Sequence, residues 1–405
     1  MGEERVGEGA ADWASPDPEP ARPDAAPVDP APVPVAPPVR PRPDFAPPLE
    51  PPAPAWGQPP AWPQPYGQQP VRGPWIVEVP PGLPYHRMAR TPVQRWWRPI
   101  AGTVAILFAG LVTLVPVVLV WTVVEALSHG MSLSAALSER LERGPLLADT
   151  NAELAFTLVG LAVFLPFVPL AALVFQRRRP GTLSSVAGRI RWDWLGACAG
   201  LAAGACAVSF AMAWAVSPLV DEPAEEGAWV GWGAFLTPLL IVLLLVPLQS
   251  TAEEYFFRGW LLQSLGSCTL EGRTGGLARR LSVVFRTPWP AICITSALFV
   301  AGHGYTGWGI LDIFCFGAVA GWLTVRTGGL EASVALHVIN NVVAFLLPAA
   351  FGRLDLEQGA VPWAAVVADV VPLLLYAALV VRLADRRGVA VVTGPAKEAA
   401  APATP

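Results

Sequence analysis

Residues 232–265 read WGAFLTPLLIVLLLVPLQSTAEEYFFRGWLLQSL. From Trp232 to Ala252 no side chain is charged. About 20 such residues in a helix cross the ~30 Å hydrocarbon layer of a bilayer. The run continues to Leu265, too far for one perpendicular crossing, so it is expected to pass Pro247 as a tilted or kinked helix. Within it stand Glu253, Glu254 and Arg258. Charges at membrane depth are costly, so each one asks for a reason.

Outward from this stretch the same pattern repeats. The chain has 405 residues, 53% of them hydrophobic and 14% charged, against roughly 25% charged in soluble domains. The reading is an all-α polytopic bundle of about eight transmembrane helices. The spans are expected near 100–124, 152–175, 194–216, 231–265, 288–303, 308–326, 330–350 and 361–382. Residues 1–90 are rich in Pro and Ala and are expected to be a disordered tail. The helical domain is read as 95–387 and a second disordered tail as 388–405.

Arginines set the orientation. Arg87, Arg90, Arg95 and Arg98 precede the first span, Arg177 to Arg179 follow the second, and Arg386 and Arg387 follow the last. The stretch from Ser217 to Trp229 carries acids and no basic residue. Positive residues stay on the cytoplasmic side, which puts both termini there, in a plasma-membrane protein. Arg140 and Arg143 dissent, in an outer loop read as a short amphipathic helix. No signal-peptide pattern opens the chain, so the first apolar run is expected to act as the anchor. The net charge of −4 argues for no nucleic-acid partner. The five cysteines lack metal-site spacing, and no disulfide is expected.

Three short patterns carry chemistry. On a helix Glu254 and Arg258 are four apart with the acid first, the favoured order for an ion pair. Glu253 is rotated away by about 100° and has no partner on its own helix, so its carboxyl is free to take a proton. Phe299 and His303 share a face at the end of the fifth span, beside Gly302 and Gly304, which allow close approach. His337 and Asn341 share a face in the middle of an apolar run, with Asn340 beside them. Asp312 and Asp369 stand alone in their spans and read as groups paired with an arginine or a backbone group.

In order, E-E-x-x-x-R, F-x-x-x-H and H-x-x-x-N on three membrane helices resemble the type II CAAX prenyl endopeptidase and bacteriocin-processing (CPBP) family. The resemblance covers about residues 190–350. It implies an intramembrane protease acting on a membrane-embedded or membrane-associated peptide or protein. Under it Glu253 is the general base on water, His303 helps hold that water, and His337 and Asn341 donate to the oxyanion. Glu254, Arg258 and Phe299 are structural support. Members have also been described as metalloproteases, and Glu253, His303 and His337 would be the zinc set. H-E-x-x-H is absent, and no cofactor is expected. The competing readings are a proton-coupled transporter and a non-catalytic immunity or scaffold protein. One geometric condition attends the protease: Glu253 and His303 can meet only if the fourth crossing runs on to Leu265 and the fifth helix is short or tilted.

Overall fold

The computed structural model describes residues 74–143, 149–216, 228–271, 275–354, 356 and 358–395. The expected tails at 1–73 and 396–405 and the acidic stretch 217–227 lie outside them. Twelve α-helices follow among the described residues: α1 (Trp97–Ser128), α2 (Leu133–Arg143), α3 (Thr150–Ala162), α4 (Phe167–Val174), α5 (Trp192–Val216) and α6 (Trp232–Glu254). A π-helical turn, Tyr255–Leu261, carries α6 into α7 (Leu262–Gly266) without a break in the rod. Then come α8 (Gly276–Phe285), α9 (Trp289–Ala301), α10 (Trp308–Thr327), α11 (Glu331–Ala350) and α12 (Trp363–Arg387).

The chain is a multi-pass membrane protein. Among the described residues seven helical stretches are long and apolar enough to cross a bilayer. The fourth of them, Trp232–Gly266, is the long crossing expected from the sequence. The expected eighth, at 288–303, takes a different form. α9 has 13 residues, only ~20 Å of helix, and meets α8 at a bend of 73°. Pro288 caps α9 and Pro290 follows in its first turn, where proline is tolerated and a continuous helix from α8 is not. The count is eight only if that bent pair is one crossing.

Small residues let the helices approach. Cys198, Ala202 and Ala205 of α5 face Ala332 and Ala335 of α11 and Tyr376 and Ala377 of α12 in one buried cluster. Close backbone packing of this kind replaces the hydrophobic drive that lipid cannot supply. Around the outside, Leu107, Phe108, Leu111, Leu240 and Leu244 are exposed, as side chains covered by acyl chains should be. α11 lies between α5 and α6, α3 packs on α6, and α9 packs on α10. A two-residue parallel pair joins β1 (Thr306–Gly307) to β2 (Ala360–Val361), so α10 and α12 start side by side.

The tail boundaries need correction. Residues 83–91, which proline density assigned to the first tail, are packed. Tyr85, Met88 and Ala89 are buried, and Tyr85 and Met88 join Leu262, Ala291, Ile292 and Leu330 in a hydrophobic cluster. Leu83 donates to Thr393 Oγ1 at 2.9 Å and accepts from the Thr393 amide at 2.9 Å. The segments around Leu83 and Thr393 are thus tied together at the end of the bundle where α7 stops. A Cβ on Gly266 would meet the His86 carbonyl oxygen at 2.2 Å, so glycine is what admits this strap. Apolar side chains between the prolines outweigh the proline content there.

Candidate active site

The site forms where α6 gives way to the π-helical turn. Pro247 has no amide hydrogen, and one turn later Thr251 Oγ1 donates to the Pro247 carbonyl at 2.6 Å. Below this point both carboxylates appear. Glu254 and Arg258 are fully buried, and Arg258 Nη1 donates to Glu254 Oε1 at 2.8 Å. The pair inferred from the four-residue spacing is therefore present. A π-helical turn widens the helix and is common where a helix carries functional groups.

α11 supplies the next group. His337 is 3% exposed, and its Nδ1 lies 2.8 Å from the same Glu254 Oε1. A carboxylate flanked by a guanidinium accepts, so Nδ1 carries the proton. The other ring nitrogen, Nε2, lies 3.6 Å from Glu253 Oε2, beyond a direct hydrogen bond and within reach of a shared water. Among the described residues Glu253 Oε2 is buried with no hydrogen-bond partner. The two carboxylates, adjacent in sequence, thus bracket one imidazole and do different things to it.

Glu253 Oε1 is occupied. It accepts from Gln249 Nε2 at 2.8 Å. The Gln249 Oε1 accepts in turn from Ser250 Oγ at 3.0 Å and from Asn341 Nδ2 at 3.3 Å. Asn341 Nδ2 also lies 3.4 Å from Ser250 Oγ. Glu253, Glu254, Arg258, His337 and Asn341 are therefore brought together by two helices. Gln249 and Ser250 belong to the same network and were not singled out from the sequence. Their signal was present: two polar side chains late in an apolar crossing, Gln249 four before Glu253.

α9 closes the third side through Phe299, which is 1% exposed. The Arg258 guanidinium carbon sits 4.2 Å from the Phe299 ring centroid, and the His337 ring meets Phe299 edge-on at 5.9 Å. Phe316 of α10 meets His337 edge-on at 5.3 Å. His303 stacks obliquely on Phe299 at 4.4 Å and donates from Nδ1 to the Phe299 carbonyl at 2.7 Å. That bond leaves His303 Nε2 as an acceptor. His303 is joined to the other site residues through Phe299; among the described residues no hydrogen bond links it to Glu253.

Glu253 also lines a cavity of about 160 Å³ walled by Leu107, Phe164, Phe256 and Phe257. Asp312 and Asp369 lie elsewhere. They line a separate cavity of about 320 Å³ with Asn340, and Asp369 Oδ1 accepts from Ser209 Oγ at 2.6 Å. Neither forms an ion pair among the described residues, so the arginine half of the reading, pairing with an arginine or a backbone group, finds no partner there.

Among the described residues no three His, Cys, Asp or Glu side chains form a group able to hold a metal ion. His303, a member of the zinc set read from the sequence, bonds its own helix through Nδ1, which leaves Nε2 open.

Every member of this network lies between residues 249 and 341, and residues 234–343 match the model of the Rce1-like family, type II CAAX prenyl endopeptidase. This stretch is an Rce1-like domain. It runs from α6 into α11 and holds all three motifs, leaving α5 and α12 outside. A segment of 115 residues is 31% identical to YyaK of Bacillus subtilis, an uncharacterized protein. That match covers 27% of this chain and 33% of YyaK, so the chain spans about a third of the length of the curated relative it matches. No solved structure matches. The Rce1-like domain thus coincides with the helices that gather the buried polar groups.

Proposed function

We propose that the chain is an intramembrane endopeptidase that hydrolyses a peptide bond in a membrane-associated protein or peptide. The observation that carries this reading is the position of His337 between Glu253 and Glu254. The Rce1-like match at residues 234–343 supports it independently.

Water sits between Glu253 Oε2 and His337, with His303 Nε2 as a further acceptor once substrate draws α9 inward. Glu253 takes a proton from that water, and its oxygen bonds the carbonyl carbon of the substrate. His337 acts as an imidazolium, its positive charge stabilised by Glu254 at Nδ1, and donates from Nε2 to the oxyanion. Asn341 Nδ2 is the second donor. The intermediate collapses as the C–N bond breaks, and Glu253 returns its proton to the leaving amine. Carboxylate, imidazolium and amide end the cycle as they began it. No step passes through a metal.

A peptide reaching Glu253 passes apolar walls, so a lipid-anchored or membrane-inserted chain suits it, and the family match adds a prenylated CAAX terminus as one candidate. Both termini are cytoplasmic in this reading, residues 95–387 form the membrane domain, and the Pro-rich segment before them is a cytoplasmic tail. The test compares cleavage products in membranes holding the wild-type chain or Glu253→Ala. Products that vanish with Glu253→Ala are expected; identical product sets would remove the hydrolase reading.

A further inference from the structure

We infer that Gln249 is a positioning residue for Glu253, fixing which carboxylate oxygen is left open to water. The inference rests on the hydrolase reading above and adds a member to its machinery that the three motifs do not contain.

The direction of the Gln249 amide is decided by its neighbours. Its Oε1 lies 3.0 Å from Ser250 Oγ and 3.3 Å from Asn341 Nδ2, and the asparagine nitrogen can only donate. Its Nε2 must then face Glu253 Oε1, at 2.8 Å. Reversing the amide would set its NH₂ against another NH₂ and its oxygen against a carboxylate. At 4% exposure Gln249 has little access to water that could replace these partners. Unmade hydrogen bonds in such a place are expensive.

Two consequences follow for the site. First, Glu253 loses rotational freedom. Its other accessible direction is the apolar cavity walled by Phe256 and Phe257, where a carboxylate finds no donor. With Oε1 held, Oε2 is the oxygen presented to His337 Nε2 at 3.6 Å. Second, the same amide spaces the base from the oxyanion donor, because Gln249 holds Glu253 with its nitrogen and Asn341 with its oxygen. A base and a donor set apart by one rigid group keep the geometry that orientation effects require. Gln249 and Glu253 are four apart on one helix, the spacing that brings side chains together.

The test uses the full-length chain in nanodiscs and an internally quenched peptide ending in a prenylated CAAX sequence. Gln249→Met keeps the length and removes the donor; Gln249→Leu is a second, shorter apolar replacement that also removes it. The expected result is a fall in kcat of about 10- to 100-fold, from loss of one hydrogen bond to a charged group. KM stays near wild type and the variants remain folded at the assay temperature, so the fall in kcat exceeds what any drop in thermal midpoint explains. Wild-type kcat in either folded variant overturns the inference. So does a kcat that falls only in step with thermal stability, or a loss of fold in both variants. An uncleaved peptide with the wild-type chain, or full activity in Glu253→Ala, removes the hydrolase reading and this inference with it. Glu253-dependent cleavage that ignores Gln249 removes this inference alone.

Discussion

His337 Nδ1 and Glu254 Oε1 lie 2.8 Å apart, joining residues 83 positions apart in the chain. The bond fixes more than the packing of α11 on α6. It makes Nδ1 the donor to Glu254 and leaves Nε2 to face Glu253. Glu254 also holds Arg258, so one buried carboxylate compensates a guanidinium and orients a histidine at once.

Removing either end of the ion pair should therefore be costly twice over. Glu254→Gln or Arg258→Met leaves a charge unpaired in the bundle, a loss of about 3–5 kcal/mol. Thermal unfolding in detergent should show a clear drop in the midpoint, with cleavage lost in parallel. An unchanged midpoint in both variants would deny the pair its structural role.

Glu253 is held differently, by a neutral amide, and carries no such load. Glu253→Ala and His303→Ala should abolish cleavage of a membrane substrate while expression and thermal midpoint stay near wild type. Full cleavage by either variant would refute its assignment. For His303 the result is especially informative, since it touches the other site residues only through Phe299.

Activity should survive exhaustive chelation with a membrane-compatible chelator such as phenanthroline. Loss that added Zn²⁺ restores would establish the metal-dependent mechanism instead.

Where α7 stops, acid should loosen the strap. Burial, aided by the neighbouring Arg87 charge, pushes the His86 imidazole down to about 4 from its usual 6.5. Between those two values the unfolded chain binds a proton that the folded chain refuses. Stability is therefore undiminished above pH 6.5 and falls as pH drops toward 4, by at most about 3 kcal/mol. Melting curves from pH 7.5 to 4.5 should show this decline in the wild type and a flatter profile in His86→Phe. Parallel profiles would show that His86 is not the sensing group.

Much of the fold and site was legible because helices impose short periods. The Glu254–Arg258 pair, the shared face of His337 and Asn341, and the passage of α6 beyond Pro247 all follow from three- and four-residue spacing or from length. What needed the structure were relations between helices. No local rule says that His337 reaches Glu254 as well as Glu253, or that Asn341 meets Gln249. Gln249 itself was passed over because an isolated glutamine in an apolar run has no partner within sight of the sequence. The strap at 83–91 was hidden because composition averages over prolines, whereas Tyr85 and Met88 act singly. The 73° bend between α8 and α9 also needed the structure, since Pro288 allows a break there without fixing its angle.

That brevity of α9 has a bearing on the surrounding lipid. A rod of ~20 Å in a slab of ~30 Å leaves hydrocarbon unmatched at one end, and a fluid bilayer relieves such a deficit by thinning locally. Thinning of that kind would fall beside His303, just past the end of the short helix. Under the proposed hydrolase reading, a bilayer drawn down there would bring solvent, the second reactant, toward the buried polar groups.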